Sequence, residues 1–280
     1  MAHTTTTTTT RSQGTPPLAV WTCGQHEHIP PREILTRRAV LAFSARGDEV
    51  VLLGHGDGAV LLQTASAGRT AWGIEVEANR SRRAEEWLRD LPDNLRGRAH
   101  HRAGDARRAA ELLGEVAGRA RLVLAWLPDP APTAGHAQDR AAGHLGRLSG
   151  ADYERAAGEL IGAAATLAAP GAAVVLVCAG RPQAGGADRV LIASRYAPEA
   201  GLAYLQHIIA ITARLNNEVD EGAVLGVADQ ADNGAVPGAP DEPVGIGRAR
   251  AQAVATVVHP AHDDVVVLTK PADRGAGVGR

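Results

Sequence analysis

The stretch that most constrains this chain is residues 49–76, EVVLLGHGDGAVLLQTASAGRTAWGIEV. An apolar run, Val50-Val51-Leu52-Leu53, meets Gly54-His55-Gly56-Asp57-Gly58. An Ala/Leu-rich segment follows, closed by Gly68, and a second apolar run ends at Glu75. The pattern reads as a β-α-β unit with glycines where the first strand hands over to the helix. Glycines there let the backbone approach a nucleotide-like ligand, and a carboxylate about twenty residues on can accept both ribose hydroxyls. Gly54, Gly56, Gly58 and Glu75 are therefore candidate nucleoside-cofactor residues. The plainer reading is a tight turn in an α/β protein that binds nothing there.

The rest of the chain repeats the alternation. Residues 32–43 have helical spacing ahead of the first strand, and 18–25 form a short apolar segment carrying Trp21. Residues 78–91 read as a charged helix with Trp87, Leu88 and Leu91 on its buried side, and 92–102 as a loop dense in Arg and His leading into Gly104-Asp105. A helix over 106–117 precedes the strand 121–127, which Pro128-Asp129-Pro130 stops abruptly. A helix over 151–168 turns at Pro170-Gly171 into the strand 172–178. Leu202, Leu205, Ile208, Ile209 and Leu215 suggest a helix over 201–215. The runs 253–259 and 264–268 suggest a terminal antiparallel pair.

Such alternation specifies an α/β, doubly wound, mostly parallel sheet, with ligands at the carboxyl ends of its strands. Residues 54–58, Glu75, Asp105 and 127–132 all fall at expected strand ends, so these four loops converge on one edge.

Composition narrows the class. At 280 residues and 45% hydrophobic the chain can bury one full α/β core, read here as a single domain over 18–271. The threonine-rich residues 1–17 have no apolar core and read as a disordered leader rather than a secretory signal. The acidic, Gly/Pro-punctuated stretch 216–247 reads as a flexible loop, and 272–280 as a fraying tail. The net charge of −2 gives no overall pull toward nucleic acid. Two cysteines, Cys23 and Cys178, and no bilayer-length apolar run fit a cytoplasmic protein without disulfides or membrane contact.

With these loops in hand, the chain resembles the S-adenosylmethionine-dependent methyltransferases, and more narrowly the actinobacterial DNA methylases of the amino-methylating (N4-cytosine/N6-adenine) type. Val20-Trp21 with Gln25 resembles the family opening VWxxxQ. Gly47-Asp48 through Gly58 falls on the GD-(apolar)-DPxCGxG segment, with Gly68-Arg69 and Gly73-Ile74-Glu75 in register. Gly104-Asp105-Ala106-Arg107 matches GDAR, and Pro170-Gly171 is similar to the PGG turn. Arg248-Ala249-Arg250-Ala251, then His262-Asp263-Asp264-Val265 and Lys270-Pro271, resemble a basic helix followed by HEDV and KP.

The resemblance implies a Rossmann-like methyltransferase sheet with a terminal antiparallel strand, S-adenosylmethionine as cofactor and DNA as partner. It places Gly54, Gly56 and Gly58 at the cofactor's amino-acid end, Glu75 at its ribose and Asp105 at its adenine.

Two segments depart from the family. Where it has Asp-Pro and then Cys, this chain has Leu52, Leu53 and His55. The catalytic Ser/Asn/Asp-Pro-Pro-aromatic loop falls on Trp126-Leu127-Pro128-Asp129, or, slipped by three residues, on Asp129-Pro130-Ala131-Pro132. In the family that loop accepts hydrogen bonds from a base amine and stacks the flipped base on its aromatic ring. Asp129, Pro130 and Trp126 are accordingly the candidate acceptor-site residues. The plainer reading makes Trp126 strand core and Asp129 a turn residue. The altered loops also fit a second function, a catalytically impaired cofactor-binding paralogue acting as a binding or regulatory module. Dinucleotide binding suits the opening unit too, but explains neither Gly104-Asp105 nor the proline-rich loop.

Other groups carry less. The histidine pairs 26/28, 100/101 and 259/262 lack zinc-ligand spacing, so no metal is expected. Arg96, Arg98, Arg102, Arg107 and Arg108 could face phosphate, yet neighbouring carboxylates favour a solvated surface. No serine has a nucleophile-elbow context.

Overall fold

Val50, Val51, Leu52 and Leu53 are each at most 1% exposed, which requires a strand covered on both faces. The computed structural model supplies that setting; it describes residues 20–24, 28–130, 140–178, 188–213 and 262–272. The strands are β1 (Val20–Thr22), β2 (Glu49–Leu53), β3 (Thr70–Glu75), β4 (Ala99–Ala103), β5 (Ala120–Leu127), β6 (Ala168–Cys178), β7 (Ala203–Ile211) and β8 (His262–Thr269). The helices are α1 (Pro31–Phe43), α2 (Ala59–Ser66), α3 (Ala78–Arg89), α4 (Ala109–Leu112), α5 (Gly150–Leu167) and α6 (Arg189–Glu199).

The strands form one sheet in the order β1-β7-β8-β6-β5-β2-β3-β4. Pairing is parallel except for β8, which runs antiparallel between β6 and β7. Strand order reverses between β2 and β5, placing a crevice outside the carboxyl ends of those two strands. Alternate side chains divide the core into two layers. Val51, Leu53, Val123 and Ala125 pack beneath α5 and α6. Val50, Leu52, Leu122 and Leu124 pack beneath α1 and α2.

Five local expectations change, the first being Trp87, expected on the buried side of α3 and in fact 55% exposed. The stretch read as a helix over 201–215 is strand β7: Ile208 and Ala210 are buried in a period of two, while Leu205 is exposed. Ladders to β1 and β8 outweigh the helix-compatible apolar spacing. The loop 92–102 contains β4, an edge strand pairing with β3. The helix expected over 106–117 is broken into a 3-10 turn, the short α4 and a second 3-10 turn at Gly114–Val116. β8 is antiparallel as expected, but both its edges are taken, by β6 and β7. The run 253–259, the leader, the loop 216–247 and residues 273–280 lie outside the described residues. No helix among the described residues is long and apolar enough to cross a membrane.

Candidate functional site

The site is built where β2 hands over to α2. Gly54, Gly56 and Gly58 have φ of 76°, 80° and 99°, a left-handed backbone that side chains resist. Gly58 also brings the loop against α3, since a Cβ there would lie 3.0 Å from Ala84. The loop folds over the tip of β3. Glu75, 3% exposed, accepts from the Gly56 amide at 2.8 Å and, through its other oxygen, from the Glu77 amide at 3.0 Å. A buried carboxylate thereby ties the glycine turn to the second strand, each bond charge-assisted.

In front of these groups lies a cavity of about 590 Å³, lined by Gly54, Glu75, Glu77, Arg80, Gly104, Trp126, Pro128, Arg140, His144 and others. Arg32 of α1 reaches into it. Its guanidinium donates to the Gly54 carbonyl and lies over the Trp126 ring, 4.3 Å from the centroid. Its Nε is buried without a partner. Burial lowers the Arg32 pKa to about 10, against the pull of Glu75, so the side chain stays charged at neutral pH. Of the residues expected from sequence, Gly54, Glu75 and Trp126 share this cavity.

The loop after β5 is closed by its own neighbours. Tyr153 of α5 donates its hydroxyl to the Pro128 carbonyl at 2.6 Å. The Asp129 carboxylate pairs with Arg189, whose side chain is 3% exposed at the start of α6. Burial raises the pKa of both Tyr153 and Cys178, the latter to about 12, with Arg189 opposing the rise. Pro130 is the last described residue of this loop. The groups that would receive a base amine and stack a base are thus engaged within the protein. Pro128 is bonded by Tyr153, Asp129 by Arg189, and Trp126 is covered by Arg32.

Asp105 caps the turn after β4 and is gripped by Arg107, whose Nε lies 3.1 and 3.0 Å from the two carboxylate oxygens. It does not line the cavity, although Gly104 and Ala106 on either side do. The other arginines of that cluster are also largely paired: Arg96 with Asp93, Arg102 with Glu115 and Arg108 with Glu111. A solvated, ion-paired surface accounts for them.

His55 is buried. Gly73 leaves room for it, as a Cβ there would sit 2.5 Å from the His55 ring. Its Nε2 bonds to His101 Nδ1 at 2.8 Å, and His101 Nε2 bonds to Ser81 Oγ at 2.8 Å. No group of three or more potential metal ligands gathers among the described residues.

Sequence reasoning passed over Arg32, Arg140 and His144. Arg32 looked like one charge among several in an amphipathic helix, and residues 140–148 carry no regular pattern. What recruits that segment is Glu77, whose Oε1 accepts from the Ala141 amide at 3.1 Å across the cavity.

No protein-family model and no curated protein matches the sequence. Solved structures do resemble the fold. The [4+2]-cyclase SpnF superposes with a TM-score of 0.51 at 15% identity, over 92% of this chain and 89% of that one. A SAM-dependent methyltransferase from Methanosarcina mazei gives 0.46 at 13% identity, over 84% and 97%. The geranyl diphosphate C-methyltransferase of Streptomyces coelicolor gives 0.47 at 11%, over 84% and 76%. Likeness at such identity concerns architecture and not reaction, and the architecture is a Rossmann-like α/β sheet, mostly parallel with one antiparallel strand.

Proposed function

We propose that this chain binds S-adenosylmethionine in the cavity at the β2/β5 switch point and belongs functionally with the methyltransferases. The observation that carries the reading is Glu75: a carboxylate at the tip of β3, buried against the glycine loop and lining a cavity of nucleoside size. The residues present fit the cofactor. Gly54 puts no side chain in the way of a ligand, Glu75 suits ribose hydroxyls, and the unpartnered Nε of the charged Arg32 suits the amino-acid carboxylate. Gly104 and Ala106 flank the adenine end in place of the Asp105 carboxylate, which Arg107 holds.

When bound, the cofactor supplies a methyl group activated on a sulfonium. The protein's part is to bind, orient and exclude water. The amino-methylating DNA reading rests on the motif resemblance alone, and it would require Tyr153, Arg189 and Arg32 to release Pro128, Asp129 and Trp126. We therefore favour an acceptor other than a flipped base. The same three contacts favour a second reading, a module that binds the cofactor without transferring its methyl group.

Calorimetric titration with S-adenosylmethionine and S-adenosylhomocysteine tests the site. The wild type is expected to bind with micromolar affinity, and Glu75→Ala to lose at least tenfold. Asp129→Ala is expected to keep cofactor affinity. Absence of binding at millimolar cofactor would refute the proposal. Methylation of duplex DNA by the wild type, lost in Asp129→Ala, would restore the amino-methylating reading.

A further inference from the structure

The polar groups around the cavity are unevenly matched. Glu75 and Glu77 face it, but both oxygens of Glu75 accept backbone amides, as does one oxygen of Glu77. Against them stand three guanidinium groups, Arg32, Arg80 and Arg140. Neither Arg80 nor Arg140 makes an ion pair among the described residues, although surface arginines nearby are mostly paired.

His144 adds a further donor. Its Nδ1 accepts from the Gly146 amide at 3.0 Å, so in the neutral ring the proton sits on Nε2. Burial first, and Arg140 second, keep that ring neutral by lowering its pKa. These groups lie beside the β5 loop. A Cβ on Gly146 would collide with the Arg140 guanidinium and lie 3.0 Å from the Asp129 carbonyl.

S-adenosylmethionine carries one carboxylate, and Arg32 accounts for it. Arg80, Arg140 and the His144 N–H are left lining ligand space, and neither guanidinium is in an ion pair among the described residues. Two solvent-exposed guanidinium groups lining one partly enclosed cavity suit oxygen anions, which accept forked hydrogen bonds and are concentrated by the local field.

We propose that the second ligand of this cavity, the methyl acceptor, is a small molecule bearing a carboxylate or phosphate group held by Arg140, Arg80 and His144. The inference rests on the cofactor reading above for the word acceptor, and on these side chains for the anion.

The test is calorimetric titration of citrate and of inorganic pyrophosphate into the full chain saturated with S-adenosylhomocysteine, at constant ionic strength. Submillimolar, saturable binding of at least one of them is expected. Arg140→Gln should weaken it tenfold or more while leaving S-adenosylhomocysteine affinity within twofold. Gly146→Ala should weaken it as well, because its methyl displaces the Arg140 guanidinium without changing charge. Failure of both anions to bind at 10 mM would overturn the inference, as would binding indifferent to Arg140→Gln. If S-adenosylhomocysteine does not bind but an anion does, through Arg140, the cofactor reading falls and the oxyanion site stands.

Discussion

His55 sits 2% exposed behind the glycine loop, bonded to His101, with its Nδ1 buried and unpartnered. Burial, reinforced by His101 and Arg32, lowers its pKa from 6.5 to about 3. His101 is lowered too, mainly by burial, with Glu85 and Glu75 pulling the other way. The unfolded chain takes up protons near pH 6.5 while the native state refuses them until about pH 3. Stability is therefore full above pH 6.5 and falls through that window on acidification, by at most about 1.4 kcal/mol per pH unit for each such histidine. Urea midpoints at pH 7.5 and 4.5 should show this loss. In His55→Leu the difference between the two midpoints should shrink, even though the variant starts less stable. An equal difference in both proteins would assign acid sensitivity elsewhere. The residue scale also shows where reading a sequence stops. That Gly54, Gly56 and Gly58 adopt positive φ is local chemistry, visible in the glycines themselves. That Asp129 answers to Arg189 is a pairing across the fold, and nothing near residue 129 announces it.

At the scale of elements, legibility follows the source of each element's stability. The unit from β2 to β3 was plain because buried strands must be apolar and the turn must be glycine. β4 was not, because AHHRA is an edge strand whose side chains are only partly covered; His100 stacks on Trp72 at 4.0 Å instead of entering a core. β7 reads as a helix in sequence because Leu202, Leu205, Ile208 and Ile209 fit both periods over so short a stretch, and only neighbouring strands decide. One element is held by a residue far along the chain. Lys270 donates its ammonium to the carbonyls of Ala165 and Ala168, at 3.0 and 2.8 Å, at the carboxyl end of α5. A cation there satisfies orphan carbonyls and opposes the helix dipole. Lys270→Met should cost about 1–2 kcal/mol in denaturant unfolding without altering cofactor affinity. An unchanged midpoint would show that water replaces the ammonium at no cost.

At the scale of the whole molecule, the sheet is asymmetric. The half formed by β5, β2, β3 and β4 carries the cavity, and the other half depends on β8. Val265, Val266, Val267 and Leu268 are all 0% exposed, and β8 bonds to strands on both sides. Removing residues 262–280 would leave β6 and β7 with facing unpaired edges and open both core layers. Such a truncation should show no cooperative thermal transition by circular dichroism. A sharp transition in it would mean that the half carrying the cavity folds alone.

The position of β8 also has a consequence in time. The strand that joins β6 to β7 is made after both of them, so a nascent chain holds two open strand edges until residue 269 clears the ribosome. At ordinary synthesis rates that wait lasts on the order of several seconds. During it, the exposed edges of β6 and β7 are open to one another's copies on neighbouring ribosomes, and this makes the yield of native protein sensitive to how quickly and how crowdedly it is translated.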